Sequence, residues 1–347
     1  MLKMSTESRN ASALRRHALN GPAMGSRWSA VFFAADDFDA AALARSFQSA
    51  VDRIEQQMSS WRADSDLAHL NAAPIGAWVS IPHELVTVLA VALKIGRLSE
   101  GAFDIGVGDL VRAFGFGSGA RTPDAGLIAR VAGRPSFEPP KTLQLDIASR
   151  RARRLALLQL DLSGIAKGFG VDELAREAQR SGLTSWLVGI DGEMRAEGLK
   201  PGGRPWAVAH EKPIPGSREI LGVLDLSGAA VATSGAYRHV AEVEGRRVSH
   251  TIDPRRGRPL ESDLAAVTVL AETCTAADAW ATALMVAGAE RGLELASRLG
   301  LAALLVRSDG SVLSTLPTPP RRPVGPAPRA RVSSRGTLCG RSPRRGC

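Results

Sequence analysis

Cysteine is scarce in this chain and unpaired. Cys274, Cys339 and Cys347 form no CxxC pair and no even framework, so neither a structural zinc nor a disulfide scaffold is implied. Cys274, flanked by apolar residues, reads as a small buried hydrophobe. Aromatic residues make up only 5% of the 347 positions, which leaves an aliphatic, alanine-rich core. No apolar run approaches the roughly 18 residues of a membrane helix. Arg15, Arg16 and His17 are followed by no apolar stretch before Pro22, so no signal peptide is read and a cytoplasmic location is expected. Acidic residues are absent from 316–347, which hold eight Arg and seven Pro. The net charge of +9 therefore sits at the two ends, and residues 23–315 sum to −2. A nucleic-acid footprint belongs on a folded face or along a helix, so no nucleic-acid partner is expected.

What is present fits a globular protein: 44% hydrophobic and 23% charged residues. Residues 1–22 read as a disordered leader, 23–315 as one folded body and 316–347 as a disordered Pro/Arg-rich tail, too poor in large apolar residues to offset ordering entropy. Leu43, Phe47, Val51, Ile54 and Met58 recur at helical spacing and predict a helix over 40–58. Ile81-Pro82 opens a second helix, and further helices are expected at 164–180, 275–288 and 290–299. Short strands are expected at 28–33, 143–147, 155–160, 185–190, 206–210, 220–226, 246–252, 267–271 and 301–307. Strand runs mixed with isolated helices, without regular alternation, indicate an α+β fold.

Several short segments could carry chemistry. Asp278 and Thr282, four apart on a helix, share a face and offer hard oxygen donors suited to magnesium. An ordinary first helical turn, with Thr275 capping and Asp278 favouring the dipole, accounts for the same residues. In Asp161-Leu-Ser-Gly164-Ile-Ala-Lys167-Gly168 a strand ends in a small-residue turn before a helix, a place for an anion; an ordinary turn with an exposed lysine fits as well. His250, in Ser249-His-Thr-Ile-Asp-Pro254, is of the type that serves as a general base, or is simply a surface residue. Gly101-Ala-Phe-Asp104, the hydroxyl-rich turn Ala232-Thr-Ser-Gly235, Met24-Gly25-Ser26 and Met58-Ser-Ser-Trp61 would each pass unnoticed alone.

In this order and at these distances the segments resemble the ApbE family of FAD:protein FMN transferases. The matching stretches include MSSWRADSDLAHLN (58–71), GAFDIGVGDLVRAFGFG (101–117), LDLSGIAKGFGVDELA (160–175), AVATSGAYRHV (230–240), RRVSHTIDPRRGRPL (246–260) and VTVLAETCTAADAWATALMVAG (267–288). The resemblance implies largely antiparallel mixed sheets with flanking helices, a T-fold-like arrangement. It implies FAD contacts from Met24, Trp61, Ala102, Phe103, Asp104, Lys167 and Ile252, with Trp61 able to stack on a planar ring. It implies Mg2+ held by the Gly164 carbonyl, Asp278 and Thr282, with Ala281 lending backbone, and His250 as the base. Asp191 is taken as the acidic residue of the family's GGD or GGE segment. Ala236 departs from the acidic or polar residue often found after Thr-Ser-Gly. The implied reaction moves FMN from FAD to a Thr or Ser of an acceptor flavoprotein with a D-x-x-[ST]-G-A-[ST]-like motif. An FAD pyrophosphatase and a non-catalytic FAD-binding protein would use the same site.

Overall fold

Eight strands form the main sheet of the computed structural model, which describes residues 14–117, 122–131, 141–214, 219–235, 240–243 and 246–316. They are β1 (Arg15–Ala23), β2 (Ser26–Ala34), β3 (Trp186–Ile190), β4 (Glu193–Glu197), β5 (Ala229–Gly235), β6 (Leu264–Ala271), β7 (Ala302–Arg307) and β8 (Val312–Ser314). Their order across the sheet is their order along the chain, and every neighbouring pair is antiparallel. The α+β, largely antiparallel expectation holds.

Helices α1 (Ala40–Met58), α2 (His83–Leu98), α3 (Ala166–Arg180), α4 (Cys274–Ala287) and α5 (Ala289–Leu299) accompany the sheet. Helix α1 spans the expected residues. Asp39 caps it by accepting from Ala42 N at 2.8 Å, and the predicted Leu43, Phe47, Val51, Ile54 and Met58 are its buried stripe. Helix α4 packs on β5 and β6, α3 on α4, and α1 on α3. The aliphatic core runs between these layers, from Ile54 and Leu89 to Phe169, Val267 and Leu284. A hairpin, Trp206–Glu211 with Ile220–Leu226, adds a further cluster in which Trp206 and Leu226 pack with Ala196 and Val231 of the sheet.

Three expectations change. The leader is shorter: β1 begins at Arg15 and pairs along its whole length with β2. Its inward face is His17, Leu19, Gly21 and Ala23, of which only Leu19 is large and apolar. His17 stacks on Phe32 with ring centroids 5.0 Å apart, and at Gly21 a Cβ would lie 2.5 Å from Trp28 Nε1. Second, the strand expected at 155–160 lies at Arg151–Arg154. There Arg154 is buried and donates to the carbonyls of Leu70, Leu158 and Ala73, so the apolar run after it folds back around the guanidinium. Third, Ala232–Gly235 is not a turn but the end of β5, bonded to β6. Residues 1–13 of the leader, the tail beyond Leu316, and Ala236 lie outside the described residues.

Candidate active site

The turn before α3 is set by its own sequence. Asp161 accepts from Ser163 N at 2.8 Å, and Leu162 O accepts from Ala166 N at 2.9 Å, which starts the helix. Gly164 in that turn faces α4. A Cβ there would lie 3.0 Å from Thr282 Oγ1 and 3.3 Å from the Phe103 ring, so three of the expected residues meet at one point. The Thr282 hydroxyl also lies 3.0 Å from Ser234 Oγ on β5.

One turn into α3, Gly168 N donates to Asp278 Oδ2 at 2.9 Å. Gly168 is required by the close approach of the two helices: a Cβ would lie 2.8 Å from Asp278 Cβ and within contact distance of the Cys274 carbonyl. The amide is therefore committed to Asp278 and is not open to a substrate oxyanion. Beside it, Lys167 Nζ lies 2.8 Å from Glu193 Oε1 and 3.4 Å from Asp191 Oδ2. Burial alone would lower the lysine's pKa, but Glu193, Asp278 and Asp191 outweigh it and hold the ammonium above its usual range. Asp278 is only 5% exposed. Desolvation first, and then the Glu193 charge, push its carboxyl up to about 7 against the pull of Lys167 and the Gly168 amide.

This cluster holds more carboxylate than cation, which suits a bound divalent ion. The donors that the resemblance implies are hard oxygens: Asp278, the Thr282 hydroxyl and the Gly164 carbonyl. Among the described residues no group of three or more His, Cys, Asp or Glu is arranged to hold a metal. An ion here would keep waters and share substrate phosphates, as magnesium does and zinc does not. Ala281 lies on the same helix, between Asp278 and Thr282. It sits fully buried inside α4, where its carbonyl belongs to the helix ladder.

The remaining expected residues form two flanking groups. Met24 occupies the β1–β2 turn in the left-handed region, φ +50°, and its N–H is held at 3.1 Å by Glu55 near the end of α1. Trp61 follows the same end of α1 and is 56% exposed, which leaves its ring face accessible. Next to Gly164, Ala102 and Phe103 are buried, and Asp104 accepts from Gly106 N at 2.7 Å. Against that loop lies the segment with His250 and Ile252. His250 meets the edge of Phe116, Ile252 is buried in a short hairpin, and Arg255 donates to Glu100 O at 2.9 Å.

One capping assignment is corrected, and the 189–193 segment holds a second acid beside Asp191. The buried acid of the 189–193 segment is Glu193, 4% exposed at the start of β4, while Asp191 stands in the β3–β4 turn with φ +57°. The Asp-Gly pair between two apolar runs is a hairpin signal that would have put Asp191 in the turn and Glu193 in the strand. The cap of α4 is Thr273, accepting from Ala276 N, not Thr275. Sequence reasoning also missed Glu55 and Asp172, whose partners are distant in the chain.

A turn glycine, a lysine held charged and a buried carboxylate and hydroxyl thus come together on an antiparallel α+β frame, and the class of protein follows from what that frame resembles. Residues 24–305 match the ApbE family, and the chain belongs to it. It is 33% identical over 305 residues to a FAD:protein FMN transferase of Klebsiella pneumoniae, covering 87% of each chain. The flavinyl transferase ApbE of Pseudomonas stutzeri, in its apo form, superposes with a TM-score of 0.76 at 36% identity, over 87% of this chain and 95% of that one. The flavin transferase ApbE of Vibrio cholerae gives 0.77 at 33%, over 87% and 97%. Among the described residues no helix is long and apolar enough to cross a membrane.

Proposed function

We propose that this chain is a magnesium-dependent FAD:protein FMN transferase that esterifies a Thr or Ser of an acceptor flavoprotein. The observation that carries the reading is the meeting of Gly164, Thr282, Asp278 and Lys167 around one acid-rich point, in a member of the ApbE family. Asp278, Thr282 and the Gly164 carbonyl would hold the magnesium ion. When bound, the ion neutralises pyrophosphate charge and polarises phosphorus. Gly168 fixes one oxygen of Asp278 and so aims the other. Lys167, kept charged and fixed by Glu193, attracts the anionic part of FAD. Trp61, Met24 and the Ala102–Asp104 loop receive the flavin end. His250 takes the proton from the acceptor hydroxyl. The hydroxyl oxygen then bonds to the FMN-side phosphorus, the bond from that phosphorus to the bridging oxygen breaks, and AMP leaves with the electron pair. The acceptor sequence is read as D-x-x-[ST]-G-A-[ST]-like, in a cytoplasmic flavoprotein.

The test is to incubate the protein with FAD, magnesium and an acceptor domain bearing that sequence. Flavin fluorescence is read in a denaturing gel, together with the acceptor's intact mass. Label that stays on the acceptor, needs magnesium and is lost in Asp278→Ala is the expected result. Free FMN and AMP with several such acceptors unlabelled would replace the reading by a pyrophosphatase. No FAD turnover at all would leave an FAD-binding protein.

A further inference from the structure

Asp172 is a buried carboxylate with four partners and no place in the chemistry above. It lies on α3 one turn beyond Gly168 and is 2% exposed. Its Oδ1 accepts from Cys274 N at 2.9 Å and from Arg195 Nη1 at 2.7 Å. Its Oδ2 accepts from Thr275 N at 2.9 Å and from the Thr275 hydroxyl at 2.5 Å. Thr273 takes the next amide, Ala276 N, at 3.3 Å. Side chains thus satisfy the first three N–H groups of α4, which have no partners within the helix.

The pattern of contacts fixes a register. Asp172 meets residues 274 and 275, and Gly168 meets residue 278. Each step is four residues, about one helical turn, and the steps run in opposite directions along the two helices. Helices α3 and α4 are therefore locked antiparallel, turn against turn, and a slip of one turn breaks both contacts. Arg195 extends the lock to β4. It stands two residues after Glu193, so both project from the same face of the strand. One carboxylate thus ties together the helix that carries Lys167, the helix that carries Asp278 and Thr282, and the strand that carries Glu193.

We propose that Asp172 is a positioning residue of this site: it sets α4 and β4 against α3 so that Asp278 and Thr282 stand at Gly164 while Glu193 stands at Lys167. The proposal rests on the reading of Asp278 and Thr282 as ligands of a divalent cation. Asp172→Asn keeps the shape but turns one accepting oxygen into a donor facing N–H groups. Thr273→Ala removes a cap from the same turn and leaves Asp172 and its partners intact.

The experiment titrates Mn2+ into the full chain with FAD present, follows free Mn2+ by electron paramagnetic resonance, and records thermal melts of the same samples. Asp172→Asn is expected to bind Mn2+ at least tenfold more weakly than the wild type. Thr273→Ala is expected to melt lower but to bind Mn2+ within twofold of the wild type. Wild-type affinity in Asp172→Asn overturns the proposal. So does an equal loss in Thr273→Ala, which would reduce the effect to helix stability. If Asp172→Asn fails to fold, Arg195→Met is read instead. It cuts only the link to β4; severalfold weaker Mn2+ binding is expected, and unchanged binding overturns the proposal. A wild type that binds no Mn2+ would sink the cation reading itself and this inference with it, a result distinct from every variant outcome.

Discussion

Without a cation, ionised Asp278 is a burden on the fold, and the burden has a pH signature. Its carboxyl is pushed up to about 7 in the folded protein, by burial first and Glu193 second, and titrates near ~3.9 in an unfolded chain. Between those values the folded state keeps a proton that the unfolded state has released. Stability from this group is therefore full below about pH 4 and falls as pH rises to about 7, then levels off. One pH unit corresponds to ~1.4 kcal/mol, and the interval from pH 5 to the folded pKa is roughly two units. The cost between pH 5 and pH 8 is then about 3 kcal/mol. Asp278→Asn removes the titration but keeps an oxygen for the Gly168 amide. Urea unfolding of both proteins in chelator, at pH 5, 6, 7 and 8, isolates the group. The stability of the variant minus that of the wild type should grow by about 3 kcal/mol over this range. Magnesium added at pH 8 should raise the wild type and not the variant. A difference that stays flat with pH would refute the account of Asp278 as a carboxyl raised by burial and Glu193.

Gly168→Ala should lower stability by about 1–3 kcal/mol, because the new methyl group meets the backbone and Cβ of α4; calorimetric melting measures it, and an unchanged midpoint would show that the helices are not in contact. Thr282→Val is nearly isosteric and gives up the Ser234 hydrogen bond, costing about 1 kcal/mol of stability, yet it should weaken Mn2+ binding about tenfold or more, ~1.4 kcal/mol. Trp61→Ala, at an exposed position, should leave melting unchanged and raise KM for FAD by about 3- to 10-fold, matching a stacking contribution of ~1 kcal/mol. An equal fall in kcat with KM constant would remove Trp61 from the binding role.

Sequence periodicity read α1 to the residue because the stripe from Leu43 to Met58 is large, apolar and evenly spaced. It failed on β1, whose inward positions are His17, Leu19, Gly21 and Ala23, a face too small to register as a hydrophobic pattern. The Asp278–Thr282 pair was visible because four residues on a helix share a face. The cluster around it was not, since Glu193 and Lys167 are joined across 26 residues and Asp172 reaches Thr275 across 103. Glu193 was hidden because the Asp191-Gly192 turn puts it in the next strand, where its side chain turns inward to Lys167.

Although β2 and β3 are neighbours in the sheet, residues 35–185 lie between them in the chain. Trp61, the Ala102–Asp104 loop, Gly164 and Lys167 all belong to that excursion, whereas Asp278 and Thr282 belong to the one between β6 and β7. Closing the longer excursion has the larger entropic cost and the slower kinetics. The point where FAD and the ion would meet therefore exists only after these two excursions have come together. Ligand-induced protection in a refolding time course should then appear at the end, as a clock for completion of the fold.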